Sequence, residues 1–307
     1  MAGEIFYWVL NVSILGAAAG IIVLLLRRIR ALPRFGVYML WALPLIRLWM
    51  PVGLANKYSL LNFISQYGTR TVVVWEPRPG LPEFTMTNSL QAATQYFPIE
   101  YKTDLLKDIF NVAGMAWVII AAAAILCSIL LYILTKSVLK GAEHIKENIY
   151  RSDKVLSPAV YGIIKAKIIL PADIADTDIE YVLAHERTHI RRFDNLWRVV
   201  AVLTACIHWF NPLAWAFLKC FLTDMELACD AGVLKRLSGD ARKEYSLALL
   251  SCSSGKTYYA SAFGGSKTRL RIENILSYKR LTLLSGMCFA ALFIIIAVTL
   301  ITNAAGG

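Results

Sequence analysis

The chain has 307 residues, 57% of them apolar, and a formal net charge of +11. Soluble globular domains sit nearer half apolar, so this composition excludes the ordinary soluble class and favours a membrane protein. The basic residues fall in short clusters beside apolar runs, which assigns the charge to membrane orientation and not to nucleic-acid binding.

The first apolar run, 5–26, is preceded by Glu4 and followed by Arg27, Arg28 and Arg30. That charge order is the reverse of a secretory signal, so the run reads as an uncleaved anchor. Runs 112–135 and 282–302 also supply the roughly 20 apolar residues that a helix needs to cross a bilayer. A fourth run, 36–54, is shorter and carries Pro44, Arg47 and Pro51. Counting it as a span brings the loop charges into agreement. Loop 27–35 has four arginines and no acid, 55–104 has four basic and four acidic residues, and 136–280 has 22 basic and 15 acidic. Basic loops stay inside. The expected fold is therefore a mostly α-helical membrane protein with four spans in a bacterial-type inner membrane. Its N-terminus and C-terminus lie outside, residues 1–54 form spans 1 and 2, and 55–104 is an extracellular loop. Residues 105–135 hold span 3, 136–280 form a cytosolic or interfacial domain, and 281–307 hold span 4 with a short tail. Trp8, Trp41, Trp49 and Trp117, near span ends, fit an interfacial belt.

Pro77, Pro79, Gly80 and Pro82 mark the middle of the external loop, whose sequence names no ligand. None of the six cysteines lies in that loop and none has CxxC spacing, so free thiols are expected. In the 136–280 domain, 155–164 and 167–171 read as two short strands of a hairpin. Thr177-Asp178-Ile179-Glu180 reads as a capping box opening a helix that runs to about Arg192. Asn211-Pro212 ends the next apolar helix and starts another reaching about Leu237. The 196–221 stretch reads as a packed or membrane-dipping helical pair.

The chemistry is concentrated in His185-Glu186-Arg187-Thr188-His189. Positions i and i+4 of a helix put two imidazoles on one face, able to share a tetrahedral zinc ion, with Glu186 placed to take a proton from water. A pair of surface histidines is the bland alternative; the apolar Tyr181-Val182-Leu183-Ala184 approach argues against it. A catalytic zinc needs a third ligand, and His144, His208, a cysteine and the later carboxylates are the candidates. Glu226 is the choice, because a carboxylate in so apolar a stretch is costly unless it meets a cation. Asp230, four residues on, shares its face and is placed to hold a ligand imidazole. A solvated acidic face of Asp224, Glu226 and Asp230 is the competing reading, and Cys229 as ligand would make a structural site. Arg187, Arg191, Arg192 and Arg198 read as anchors at the inner headgroup surface.

Three motifs in order, the 184–194 run around the two histidines, His208-Trp209-Phe210-Asn211-Pro212, and Glu226-Leu227-Ala228-Cys229-Asp230, resemble the membrane zinc metallopeptidases of the BlaR/MecR type. Ser157-Pro158-Ala159-Val160-Tyr161-Gly162 and Ile169-Leu170-Pro171 resemble the strand region that precedes the zinc helix there. The resemblance covers nearly all of the chain. It implies a gluzincin-like domain between spans 3 and 4, with His185, His189 and Glu226 as Zn2+ ligands, Glu186 as general base and Asp230 in support. It also implies a protein substrate, either a transcriptional repressor or the chain itself. The sensors of that family carry a penicillin-binding domain after the last span. This sequence ends at Gly307, so β-lactam binding is not carried over.

The expected activity is zinc-assisted peptide hydrolysis, with an extended substrate laid along Val160, Tyr161, Gly162 and Ile163 at the hairpin edge. The expected partners are that substrate, the bilayer and a second copy of the chain. A signalling or scaffold protein with a structural zinc site is the alternative; it predicts that zinc removal unfolds the domain and that Glu186→Gln changes nothing. A transporter reading rests on Arg47 alone.

Overall fold

A computed structural model of the chain describes residues 2–29, 31–50, 55–56, 58–59, 104–238, 241–253, 268–278 and 282–304. Most of the expected external loop, its proline cluster included, lies outside the described residues. The described residues are mostly helical, with a four-stranded mixed sheet and a short two-stranded pairing.

Among the described residues, three helices are long and apolar enough to cross a membrane: α1 (Ala2–Leu26), the Asp108–Ser137 stretch of α4 (Asp104–Val138) and α10 (Leu283–Ile301). Along α4, Ile119 is 68% and Leu126 65% exposed, an apolar face that water would penalise and lipid would not. The 36–54 run is different. It forms α2 (Arg34–Leu40) and α3 (Ala42–Trp49), broken at Trp41. Pro44 has no N–H to give the Leu40 carbonyl, and the helix kinks there. At 1.5 Å per residue the pair rises about 24 Å, short of the roughly 30 Å of hydrocarbon. Arg47 is buried and donates to the carbonyl of Ile301 at the end of α10, 3.3 Å away, so it caps a neighbouring helix. Strand β1 (Ala55–Asn56) after α3 pairs in parallel with β6 (Asn303–Ala304) after α10. The ends of α3 and α10 therefore lie together.

Between α4 and α10 the sheet has the order β2 (Glu143–Lys146), β3 (Ile149–Ser152), β5 (Lys167–Pro171), β4 (Ala159–Tyr161). The expected hairpin is β4 and β5, antiparallel with Val160 opposite Ile168. Strands β2 and β3 were not expected; β2 is exposed along its whole length and carries no alternating pattern. The interior strand β5 buries Ile168, Ile169 and Leu170 in succession, as a strand covered on both faces must. Ile168 and Leu170 pack with Val182 of α5 (Asp176–Arg191).

Helix α5 starts one residue before the expected capping box. Ala175 is its N-cap, with no side-chain cap, and Thr177 lies inside the first turn. The acids Asp176 and Asp178 occupy that turn, where the helix dipole favours them. After α5, Phe193 takes a left-handed φ of 56° and turns the chain into α6 (Asp194–Ile207). Helix α7 (Pro212–Leu234) then begins as read from the sequence: Asn211 caps it by accepting from the Leu213 amide at 2.9 Å, and Pro212 sits in the first turn.

The α6–α7 hairpin is packed deep among the apolar helices. At its tip Asn211 Nδ2 donates to Ser13 Oγ of α1 at 2.8 Å, and Trp117 of α4 donates to the Ile207 carbonyl at 2.8 Å. Gly20 of α1 allows the closest approach: a Cβ there would meet the Phe217 ring at 2.2 Å. Val23, Trp41, Ala201, Phe217, Phe221 and Met225 form the core between these helices. The interfacial-belt reading therefore fails for Trp41, only 1% exposed and bonded to Asp224, and Trp49 and Trp117 likewise donate to protein groups. Helices α8 (Ala241–Ser253) and α9 (Thr268–Leu276) close the other end of α7, with Val233, Leu234, Tyr245, Leu249 and Ile275 between them.

Candidate metal centre

Helix α5 buries Val182, His185, Glu186 and His189, the i, i+3, i+4, i+7 stripe of a helix packed on one side. The two imidazoles point the same way, with Nε2 atoms 3.1 Å apart. Helix α7 passes close by; a Cβ on its Gly232 would lie 3.1 Å from the Thr188 side chain. This brings Glu226 Oε2 to 3.4 Å from His185 Nε2 and 3.7 Å from His189 Nε2. Cys229, one turn further on, also enters. Its sulfur and the two imidazoles place their ligand atoms within 4.8 Å of one another, so His185, His189 and Cys229 form a group that could hold a metal ion.

The spacing can be tested against a metal's needs. Nitrogen and oxygen ligands bind zinc at 2.0–2.2 Å, so two of them at a tetrahedral angle sit about 3.3 Å apart. The three separations among His185, His189 and Glu226 straddle that value. The field of the site favours a cation as well. Burial disfavours charge on both imidazoles, yet Cys229 and Asp230 around His185, and Cys229, Glu226 and Asp194 around His189, hold both well above the usual histidine range. Burial works against the Glu226 carboxylate too, and His189, His185 and Arg271 outweigh it, holding Glu226 well below its ordinary range. The donor set fits a divalent ion such as zinc.

Each imidazole is held from behind. His189 Nδ1 lies 2.6 Å from Asp194 Oδ2, and His185 Nδ1 lies 2.8 Å from the Tyr245 hydroxyl and 3.3 Å from Asp230 Oδ1. Tyr245 donates to Asp230 Oδ1 at 2.7 Å. Arg271 of α9 grips both oxygens of Asp230, at 2.7 and 2.8 Å, and its Nη1 is 3.5 Å from Glu226 Oε2. Burial opposes the Asp230 charge, but Arg271 and His185 outweigh it and depress that carboxyl below its ordinary range. Replacing Arg271 by methionine leaves Asp230, 2% exposed in its side chain, without its cation. A loss of about 3–5 kcal/mol in the unfolding of the metal-free protein is expected, measured by denaturant titration in detergent.

Three of these partners were not singled out from the sequence. Asp194 follows His189 by five residues, and its place depends on the left-handed turn at Phe193. Tyr245 and Arg271 are 60 and 86 residues from His185, on unremarkable amphipathic helices. Of the arginines read as headgroup anchors, Arg192 faces inward instead, and Arg198 leans toward the site while its side chain stays 43% exposed. Arg192 reaches Asp194 Oδ2 at 3.2 Å and the Met225 carbonyl at 3.3 Å, and Arg198 lies 3.8 Å from Glu226 Oε1. Buried Asp194 draws Arg192 in; Arg187 and Arg191 remain exposed.

The expected substrate residues lie at an edge. Among the described residues, strand β4 has β5 on one side only. The Ile168 amide donates to Asn148 at 2.8 Å, away from β4, so the Val160–Ile168 pair exchanges no hydrogen bonds and Val160's peptide groups face outward. Asn195 already uses this edge: its Nδ2 donates to the carbonyls of Val160 at 3.1 Å and Gly162 at 2.9 Å. Gly162, at φ 95°, and Ile163 lie in the turn after β4. Burial raises the Tyr161 phenol; Arg198 opposes this and the Glu186 carboxylate adds to it.

Comparison with known proteins assigns the chain to a family. The profile of the BlaR1 peptidase M56 family matches residues 7–276. The chain belongs to that family. It is 35% identical over 127 residues to "Regulatory protein BlaR1" of Bacillus licheniformis, covering 40% of this chain and 21% of that protein. It is 32% identical over 106 residues to "Methicillin resistance mecR1 protein" of Staphylococcus aureus and of Staphylococcus epidermidis, 33% of this chain and 18% of theirs. The matched region thus spans about a fifth of the length of these relatives. Membership of the M56 family implies a membrane metallopeptidase of the signal-transducing type.

Proposed function

We propose that this chain is an integral-membrane zinc endopeptidase that transduces a signal by cutting itself or a cytosolic regulatory protein, such as a transcriptional repressor. The observation that carries the reading is the convergence of the buried His185 and His189 of α5, the helix that also presents Glu186, with the half-buried Glu226 of α7 at tetrahedral ligand spacing. His185, His189 and Glu226 hold the zinc, which when bound supplies a Lewis acid that activates water at neutral pH. The Glu186 carboxylate takes the proton of the attacking water and returns it to the leaving nitrogen as the C–N bond breaks. Asp230, Tyr245 and Asp194 keep the imidazole Nε2 atoms directed inward.

The substrate strand is assigned to the open edge of β4, where it displaces Asn195 from the Val160 and Gly162 carbonyls. Val160→Pro removes only an edge-facing N–H and spares the β4–β5 ladder. It is expected to lower kcat/KM about 2- to 10-fold, the worth of one hydrogen bond; an unchanged value would remove the edge from the mechanism.

In the membrane we place the N-terminus, 55–104 and the C-terminus outside the inner membrane, with 27–35 and the 136–280 domain in the cytosol. The arginine-rich 27–35 loop supports this orientation. So do the β1–β6 pairing and the contact of Gly3 with Asn111, which join segments assigned to one side. The kinked α2–α3 pair is placed as the second crossing.

The test is the metal content and proteolysis of the purified full chain. One zinc per chain, with cleavage lost on chelation and restored by zinc, is the expected result. Zinc that is needed for folding while no substrate or self-cleavage occurs would favour the structural-site reading.

A further inference from the structure

Asp194 is fully buried, and its two oxygens face different parts of the molecule. Oδ2 lies 2.6 Å from His189 Nδ1, while Oδ1 accepts the hydroxyl of Tyr38 at 2.9 Å. Tyr38 belongs to α2, 156 residues earlier, in the apolar bundle and not in the sheet-and-helix domain. The phenol ring is held independently of its hydroxyl. It stacks on Phe221 at 5.6 Å between centroids, and the Arg192 guanidinium lies over it at 4.4 Å.

Three residues along, Trp41 supplies a contrast. Its indole donates to Asp224 Oδ2 at 2.8 Å, and Arg27 grips the same carboxylate at 2.9 and 3.0 Å. This cluster ties α7 to α1 and α2, but none of its hydrogen bonds reaches His185, His189 or Glu226. Tyr38 alone of the two aromatic residues is one carboxylate away from an imidazole of the metal centre. A carboxylate behind a ligand imidazole fixes its tautomer and ring orientation, and whatever fixes the carboxylate shares that work.

We propose that Tyr38 is a positioning residue for His189, acting through Asp194, so that the membrane segment α2 is a working part of the metal centre. The inference rests on the reading of His185, His189 and Glu226 as metal ligands. Any displacement of α2 relative to α6 is then felt at the metal as a loosened imidazole.

The experiment compares full-length wild type, Tyr38→Phe, Asp194→Asn, the double variant and Trp41→Phe in detergent. Zinc affinity is measured by chelator competition, the Co(II) d–d spectrum reports ligand geometry, and metal-free melting reports the fold. Tyr38→Phe keeps the ring and both its packing contacts. It is expected to weaken zinc about 10- to 100-fold and shift the Co(II) bands, with metal-free melting close to wild type. The double variant should bind no more weakly than Asp194→Asn alone, and Trp41→Phe should keep wild-type zinc affinity. Wild-type affinity in Tyr38→Phe would overturn the proposal while leaving the peptidase reading intact. So would a double variant whose loss is the product of the single losses. An equal loss in Trp41→Phe, or metal-free melting lowered as much in both, would mean general loosening and also overturn it. A wild type that binds no zinc would sink both readings together.

Discussion

Exchanging Glu186 for glutamine is expected to leave one zinc per chain and to lower peptide cleavage by roughly two to four orders of magnitude. The two effects separate because Glu186 shares the buried face of α5 with the histidines but belongs to none of the close contacts among His185, His189 and Glu226. Glutamine keeps the shape and removes the basic carboxylate, so packing and metal ligation survive while proton transfer fails. Zinc analysis beside a cleavage assay of the two proteins checks this. Equal cleavage in both would assign the proton transfer elsewhere, and loss of zinc in the variant would make Glu186 part of the ligand set.

The second large effect concerns the third ligand. Glu226 and Cys229 lie three residues apart on α7 and face the same imidazoles. The distances favour the carboxylate: Glu226 Oε2 is already at ligand spacing from both Nε2 atoms, while the Cys229 thiol donates to the His185 carbonyl at 3.4 Å. Glu226→Ala is therefore expected to weaken zinc by roughly a hundredfold or more, and Cys229→Ser to change it only a few-fold. Co(II) in place of zinc gives an independent check, since a thiolate ligand adds strong near-ultraviolet absorption that a carboxylate does not. Strong absorption that disappears in Cys229→Ser would install the His-His-Cys set instead. That outcome would favour a closed, structural site.

The fold was legible where its cause is local. The long apolar runs, the Asn211-Pro212 start of α7 and the β4–β5 hairpin each follow from residues within a few positions of one another, and the structure has all three. The capping box did not form at the expected place: the Asp178 amide bonds the Ala175 carbonyl, and the helix already starts at Asp176. The 36–54 run kinks ahead of Pro44, a local cause, but the capping of α10 by Arg47 depends on a partner more than 250 residues away. Arg192 and Trp41 looked like membrane anchors because an isolated sequence cannot show the buried acids Asp194 and Asp224 that draw them in.

What the sequence by itself determined is the pair of imidazoles and Glu186, since helical periodicity alone sets their common face. It also supplied Glu226 and Asp230 as candidates, through the cost of placing acids in an apolar helix. Only the tertiary structure decided which carboxylate stands behind which histidine, that Arg271 and Tyr245 close around Asp230, and that Tyr38 reaches Asp194. The physical reason is range. Periodicity and propensity act over a turn or two of helix, whereas the field and hydrogen bonds of a buried site come from whichever distant elements packing brings within about 3 Å.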